Sequence, residues 1–289
     1  MRSDRDGVRR RHAVVEVRRS LTIAALVALA VTASMLGNSV AAAAPRAAGA
    51  VGRVKLSLPR SIPPHPAFLT PTVCGDARPN DSAHCNATII KAIDNARKTE
   101  PLAAFPKTFN LAAFDKLSPA EQIFAIADIE RTARGLPPMT GLTPQLDAVA
   151  ASGAVHQTDP SITTPLKLNK GGGTATAWGS NWAGGTANAL GADYYWMYDD
   201  GLNSPNSACT KSNESACWGH RKNILFNWSN PGFCASGPIN LVMGVAEVTA
   251  KVSVPPSIAE IFVNDCGPLP KNLLVTWTQV QALIFSNPA

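Results

Sequence analysis

Charged side chains are scarce in this sequence: they fill 16% of the 289 positions, against 45% for apolar ones. That balance excludes wholesale disorder, a coiled coil and a collagen-like chain, and the length is ample for a buried core. Beyond residue 43 there is no stretch long and apolar enough to span a bilayer, no cysteine pair at the spacing of a zinc knuckle, and no internal repeat. The triple glycine Gly171-Gly172-Gly173 lacks the Gly-Lys-Ser/Thr of a phosphate loop. A formal charge of +6 suggests an anionic partner, but seven arginines lie within residues 1–43 beside only Asp4, Asp6 and Glu16. The remainder holds 19 basic and 17 acidic residues, so a nucleic-acid partner loses its support.

Residues 1–43 have the three parts of an export signal: an Arg-rich start, an apolar stretch of 16 residues from Leu21 to Leu36, and small residues before a cut after Ala43. The stretch is shorter than the roughly 20 apolar residues of a spanning helix, which favours a cleaved signal over a membrane anchor. The expected protein is secreted, with no stable membrane span after cleavage. All six cysteines (Cys74, Cys85, Cys209, Cys217, Cys234 and Cys266) lie in the exported part, where an even number reads as disulfides. Of the 15 connectivities, the near-neighbour set Cys74–Cys85, Cys209–Cys217 and Cys234–Cys266 is preferred.

Residues 44–73 carry six prolines without apolar periodicity and read as a linker. Residues 74–117 hold one short helix, Asn86 to Lys98, and read as a disulfide-pinned extension; residues 267–289 read as a tail. Regularity begins at Ser118-Pro119-Ala120-Glu121, a helix start with a capping serine and a proline at the first position. A second helix opens at Thr143-Pro144, and a third is expected from Thr186 to Tyr198. The Gly- and Thr-rich run from Asn169 to Gly185 reads as irregular. A short helix from Trp218 to Phe226 precedes two strands, Leu241 to Val248 and Ile258 to Asn264. Helices first and strands last give an α+β class with helices packed on an antiparallel sheet.

Three phrases within residues 118–266 stand in a consistent order: Ile129 to Met139, with its Gly-Leu-Pro-Pro turn; Trp178-Gly179-Ser180-Asn181-Trp182, followed by the aromatic helix ending Trp196-Met197-Tyr198-Asp199-Asp200; and Cys217-Trp218-Gly219-His220-Arg221-Lys222-Asn223-Ile224-Leu225. Together they resemble the CAP superfamily of cysteine-rich secretory proteins, antigen five and pathogenesis-related proteins. The run "GHRKNIL" is similar to the motif of its bacterial branch. The resemblance covers about half of the chain and implies an α-β-α sandwich with one open cleft, lined in the family by two histidines and two acidic residues that sometimes hold zinc. On that basis His220 matches the histidine of the Gly-His phrase, and Asp199 the acidic residue three after Trp196. Ser180 stands where the family has a glutamate. His156, the candidate for the second histidine, falls a few residues early.

Each candidate also has an ordinary role. His220 at a glycine turn suits either proton or metal chemistry or a hydrogen bond that fixes the loop. Asp199 suits a helix end, His156 a solvated helix edge, and Ser180, which lacks a Gly-x-Ser-x-Gly elbow, a turn hydrogen bond. Trp182 and its neighbours suit core and cleft-wall packing. With one carboxylate replaced and another shortened, no cofactor is expected, and zinc weakly at most. The expected function is a non-enzymatic binding module whose cleft (His220, Asp199, Ser180, Trp182, His156) takes a small apolar or envelope-derived ligand. Two alternatives stand beside it: a peptidase-like hydrolase using His220 with Ser180 or a metal-bound water, and an interaction module with a vestigial cleft.

Overall fold

The structure is a computed structural model that describes residue 74 and residues 81–100, 102–164, 166–168, 177–230, 234, 237–249 and 256–285. The expected signal peptide and Pro-rich linker lie outside the described residues. Seven α-helices and five strands follow in chain order among these residues: α1 Ala83–Arg97, α2 Leu111–Phe114, α3 Pro119–Ala133, β1 Gly141–Leu142, α4 Pro144–His156, β2 Ala177–Gly184, α5 Ala189–Tyr198, α6 Gly219–Ile224, β3 Ile239–Val248, β4 Ser257–Cys266, β5 Val275–Thr276 and α7 Trp277–Ile284.

The helix starts are set by side chains that take up free backbone amides. Ser118 accepts from the Glu121 amide while Glu121 Oε2 accepts from the Ser118 amide at 2.8 Å, a reciprocal cap with Pro119 seated where no amide is needed. Thr143 and Asn188 cap α4 and α5 from one side only, accepting from the Leu146 and Gly191 amides. The third helix therefore begins at Ala189 rather than Thr186, because Asn188 closes its first turn from outside.

The strands lie in the order β2-β4-β3-β1-β5. The α+β class holds, but the sheet is mixed rather than antiparallel: β1 runs parallel to β3, while β2–β4, β4–β3 and β1–β5 are antiparallel. A second correction concerns Asn169 to Gly185, read as irregular. Residues 177–184 form the edge strand β2, paired residue for residue with β4 from Ala177↔Asn264 to Gly184↔Ser257. Its glycines weaken the strand signal, and pairing with the β-branched β4 supplies what local propensity lacks.

Alternation along the paired strands sends side chains to two faces. Met243, Ile258 and Phe262 join one apolar cluster with α1, α3, α5 and α7. Val242, Ile261 and Val263 join another with Leu146 and Ala150 of α4. Helix α4 rests so closely on β3 that a Cβ on Gly244 would lie 2.1 Å from the Leu146 carbonyl carbon, so only glycine fits there. The first cluster takes Ile89 and Ile93 from the segment read as an extension and Trp277, Val280 and Ile284 from the segment read as a tail. Fully burying each such side chain contributes about 1.5–3 kcal/mol. Polar contacts reinforce the joint: Asn188 donates to Asn86 Oδ1, and Asn86 to Asp115 Oδ1, each at 2.6 Å.

All six cysteines are bridged, as Cys74–Cys85, Cys209–Cys217 and Cys234–Cys266. No helix among the described residues is long and apolar enough to cross a membrane.

Candidate functional site

A cleft of about 470 Å³ opens beside the edge strand β2. One wall is the turn after α4, with Thr158 and Asp159; another is the loop after α5, held by Cys209–Cys217; Trp182 of β2 and His220 of α6 complete it. Two residues at its margins adopt left-handed backbone without being glycine: Gln157, which ends α4 at φ 55°, and Trp218, which precedes α6 at φ 62°. Such conformations persist only where surrounding contacts enforce them. Trp218 is held by its amide, which donates to the Asp200 carbonyl at 2.9 Å, and by its ring, which closes on Gly201 so that a Cβ there would stand 2.5 Å from Trp218 Cζ2.

His220 is fixed twice by one carboxylate. Its backbone amide donates to Asp200 Oδ2 at 3.0 Å and its ring Nδ1 to Oδ1 at 2.7 Å. Asn206 donates to the same Oδ1 at 2.5 Å, so the buried Asp200 carboxylate is well satisfied and the ring's orientation is set. On the other side of the ring, Nε2 lies 3.7 Å from Asp159 Oδ1, an ion-pair distance beyond hydrogen bonding. Burial alone would pull the His220 pKa down, but the two aspartates outweigh it and raise it to about 10. The imidazole therefore carries a proton at neutral pH.

Behind His220 runs a polar network inside the protein. Asn181 donates from Nδ2 to the His220 carbonyl at 3.1 Å and to Glu260 Oε1 at 2.7 Å, while Asn223 donates to Asn181 Oδ1 at 3.0 Å. Burial pushes the Glu260 carboxyl up to about 8, against the opposing pull of Asn181 and the His220 charge. Helix α6 is tied down by the residue after His220: Arg221 donates to the Met197 carbonyl at 2.7 Å and to Glu100, which also pairs with Arg134 at 3.0 Å.

Of the residues picked from the sequence, His220, Asp199 and Trp182 line the cleft together. The partner on His220 is Asp200, however, the neighbour of Asp199; Asp199 ends α5 and is buried in the cleft wall. Ser180 is outside the lining, and its hydroxyl donates to the Pro160 carbonyl at 2.6 Å. On β2, Ser180 pairs with Ile261 and shares its face toward α4, where the Pro160 carbonyl takes up its hydroxyl, whereas Asn181 pairs with Glu260 and faces the other way. His156 is also outside the lining, exposed on α4 with Nδ1 2.8 Å from the Ser152 carbonyl. Asp159, Asn181, Tyr195, Asp200 and Glu260 were missed by sequence reasoning. Only Asp200 had a visible cue, as the second acid of Tyr198-Asp199-Asp200-Gly201.

These donors do not suit a metal held by the protein alone. Asp200 occupies His220 Nδ1, leaving Nε2 and Asp159 on the open side, and no group of three or more His, Cys, Asp or Glu among the described residues is placed to hold an ion. No family model, curated protein or solved structure matches this chain.

Proposed function

We propose that this protein is a secreted, non-enzymatic binding module of the CAP type, whose cleft takes a small, envelope-derived ligand with an apolar body. Three features support the reading: the ordered motifs through Gly219-His220-Arg221, the three disulfides, and an open cleft walled by Trp182, Tyr195 and Trp196. The observation that carries it is the state of His220. A histidine clamped by Asp200 and faced by Asp159 keeps its proton at neutral pH and is a poor general base. The hydroxyl that a hydrolase would activate, that of Ser180, is already spent on Pro160. The cleft thus offers ring faces and fixed polar groups for holding a ligand, without a base–nucleophile pair.

The test is a panel of peptide and ester substrates with the full chain and its His220→Ala variant, beside a tryptophan-fluorescence titration with small amphiphiles. The reading predicts saturable quenching and no turnover that depends on His220. Hydrolysis by the wild type that disappears in the variant would establish the hydrolase instead.

A further inference from the structure

The charges on the cleft wall compensate one another. Asp200 is engaged by His220 and Asn206, and Asp199 is buried and has its own contacts inside the protein. Of the charged side chains in the lining, one pair faces the opening. It consists of the protonated His220 ring, whose Nδ1 is already spent on Asp200, and the carboxylate of Asp159. His220 Nε2 and Asp159 Oδ1 stand 3.7 Å apart, near enough to attract and too far for a hydrogen bond. The two side chains are 21% and 53% exposed, so both are within reach of a bound molecule. Beside them stand two partly exposed rings, Trp182 and Tyr195. The cleft thus presents a donor and an acceptor side by side, next to an aromatic wall.

That pair narrows the head of the molecule it takes. A carboxylate would accept from His220 but meet Asp159 charge against charge, and a cation would suit Asp159 but meet the imidazolium. Either would also shed hydration that a pair already compensated repays poorly. A wholly apolar head would dry both groups without giving them a hydrogen bond. A neutral head that both accepts and donates has neither defect. A single hydroxyl does so only with bent bonds, because an oxygen at normal length from both atoms sees them at roughly 80°. A primary carboxamide carries its acceptor oxygen and donor nitrogen about 2.2 Å apart on one edge, and so meets the pair with two nearly parallel hydrogen bonds. Asparagine and glutamine side chains read the adjacent donor and acceptor of adenine in the same way.

We propose that the cleft selects a primary carboxamide, its oxygen accepting from His220 Nε2 and its NH2 donating to Asp159, with the body of the molecule against the rings of Trp182 and Tyr195. This rests on the reading of the cleft as a binding site and adds the chemistry of the ligand's head to it.

The test uses four probes of nearly one shape that differ at the head: benzamide, the anion benzoate, the cation benzamidinium, and acetophenone, which accepts but cannot donate. Each is titrated at pH 7 and low salt into the full chain and into Asp159→Ala, followed by NMR through the His220 Cε1–H and the tryptophan indole N–H signals. Asp159 is half-exposed, so the variant should melt with the wild type, and a melting curve checks this. Benzamide should bind roughly tenfold tighter than acetophenone, and the ratio should shrink to about twofold in Asp159→Ala. Both ions should bind more weakly than benzamide. Equal binding of benzamide and acetophenone, or tightest binding by either ion, would overturn the carboxamide while leaving the binding cleft in place. An undiminished ratio in the variant would overturn the role of Asp159. Shifts from none of the four probes would remove the binding cleft, and the carboxamide with it.

Discussion

At the scale of single residues, His220 owes its state to two neighbours that a sequence does not single out. Replacing Asp200 by Asn removes the charge on Nδ1, and the His220 titration should move from about 10 toward the 6.5 of a free imidazole. Following the ring Cε1–H by NMR against pH in both proteins measures this; an unmoved titration would mean that Asp159 alone sets it. The same shift enters stability. Because the folded value is raised, the stabilisation from the two carboxylates is complete below pH 6.5 and is lost as pH climbs through about 10. Glu260 acts in the same direction. Its folded value of about 8 exceeds its usual 4.5, so between those pH values the folded protein holds a proton that the unfolded chain has released, and stability falls as pH rises. Melting temperature should therefore decline from pH 5 toward pH 9, and Glu260→Gln should flatten the part below pH 8. A variant that declines as steeply as wild type would assign the loss elsewhere. His220 was legible because glycine and histidine stand together in a recognisable phrase. Asp200 was not, because which of two consecutive buried acids meets His220 depends on how α5 ends: Asp199 leaves the helix at φ −134°, ψ 49°.

At the scale of elements, helix starts were legible and the edge strand was not. Ser118-Pro119-Ala120-Glu121 and Thr143-Pro144 announce their caps locally, so α3 and α4 could be placed from a few residues. Strand β2 depends on a partner about 80 residues away in the chain, and its register decides that Ser180 faces α4 while Asn181 faces His220. Sequence reasoning without that register could not tell the two apart. Helix α6, only six residues long, cannot hold His220 in place by its own backbone bonds. Arg221 does so through Glu100 and the Met197 carbonyl. Arg221→Ala removes the tie to the Met197 carbonyl and one of the two arginines on Glu100, which keeps Arg134, and should destabilise the protein by about 1.5–3 kcal/mol in urea unfolding. A loss below about 1 kcal/mol would show that α6 is fixed by other contacts.

At the scale of the whole molecule, helices from both ends of the described chain close over one face of the sheet, and three disulfides join cysteines 8 to 32 residues apart in the chain. Closing a loop of about 15 residues contributes roughly 3 kcal/mol in the chain-entropy model, and Cys209–Cys217 closes a shorter one. Replacing both cysteines by Ser should lower the melting temperature without abolishing folding, since neither lies in the sheet. Complete unfolding would mean that the loop after α5 is integral to the core. Native mass spectrometry of the protein purified from its own host, paired with a denaturing spectrum of the same sample, tests the central claim most directly. A cleft built for holding predicts a one-to-one non-covalent adduct that vanishes on denaturation and is depleted in Tyr195→Ala. The bare chain mass under native conditions, in wild type and variant alike, would contradict it.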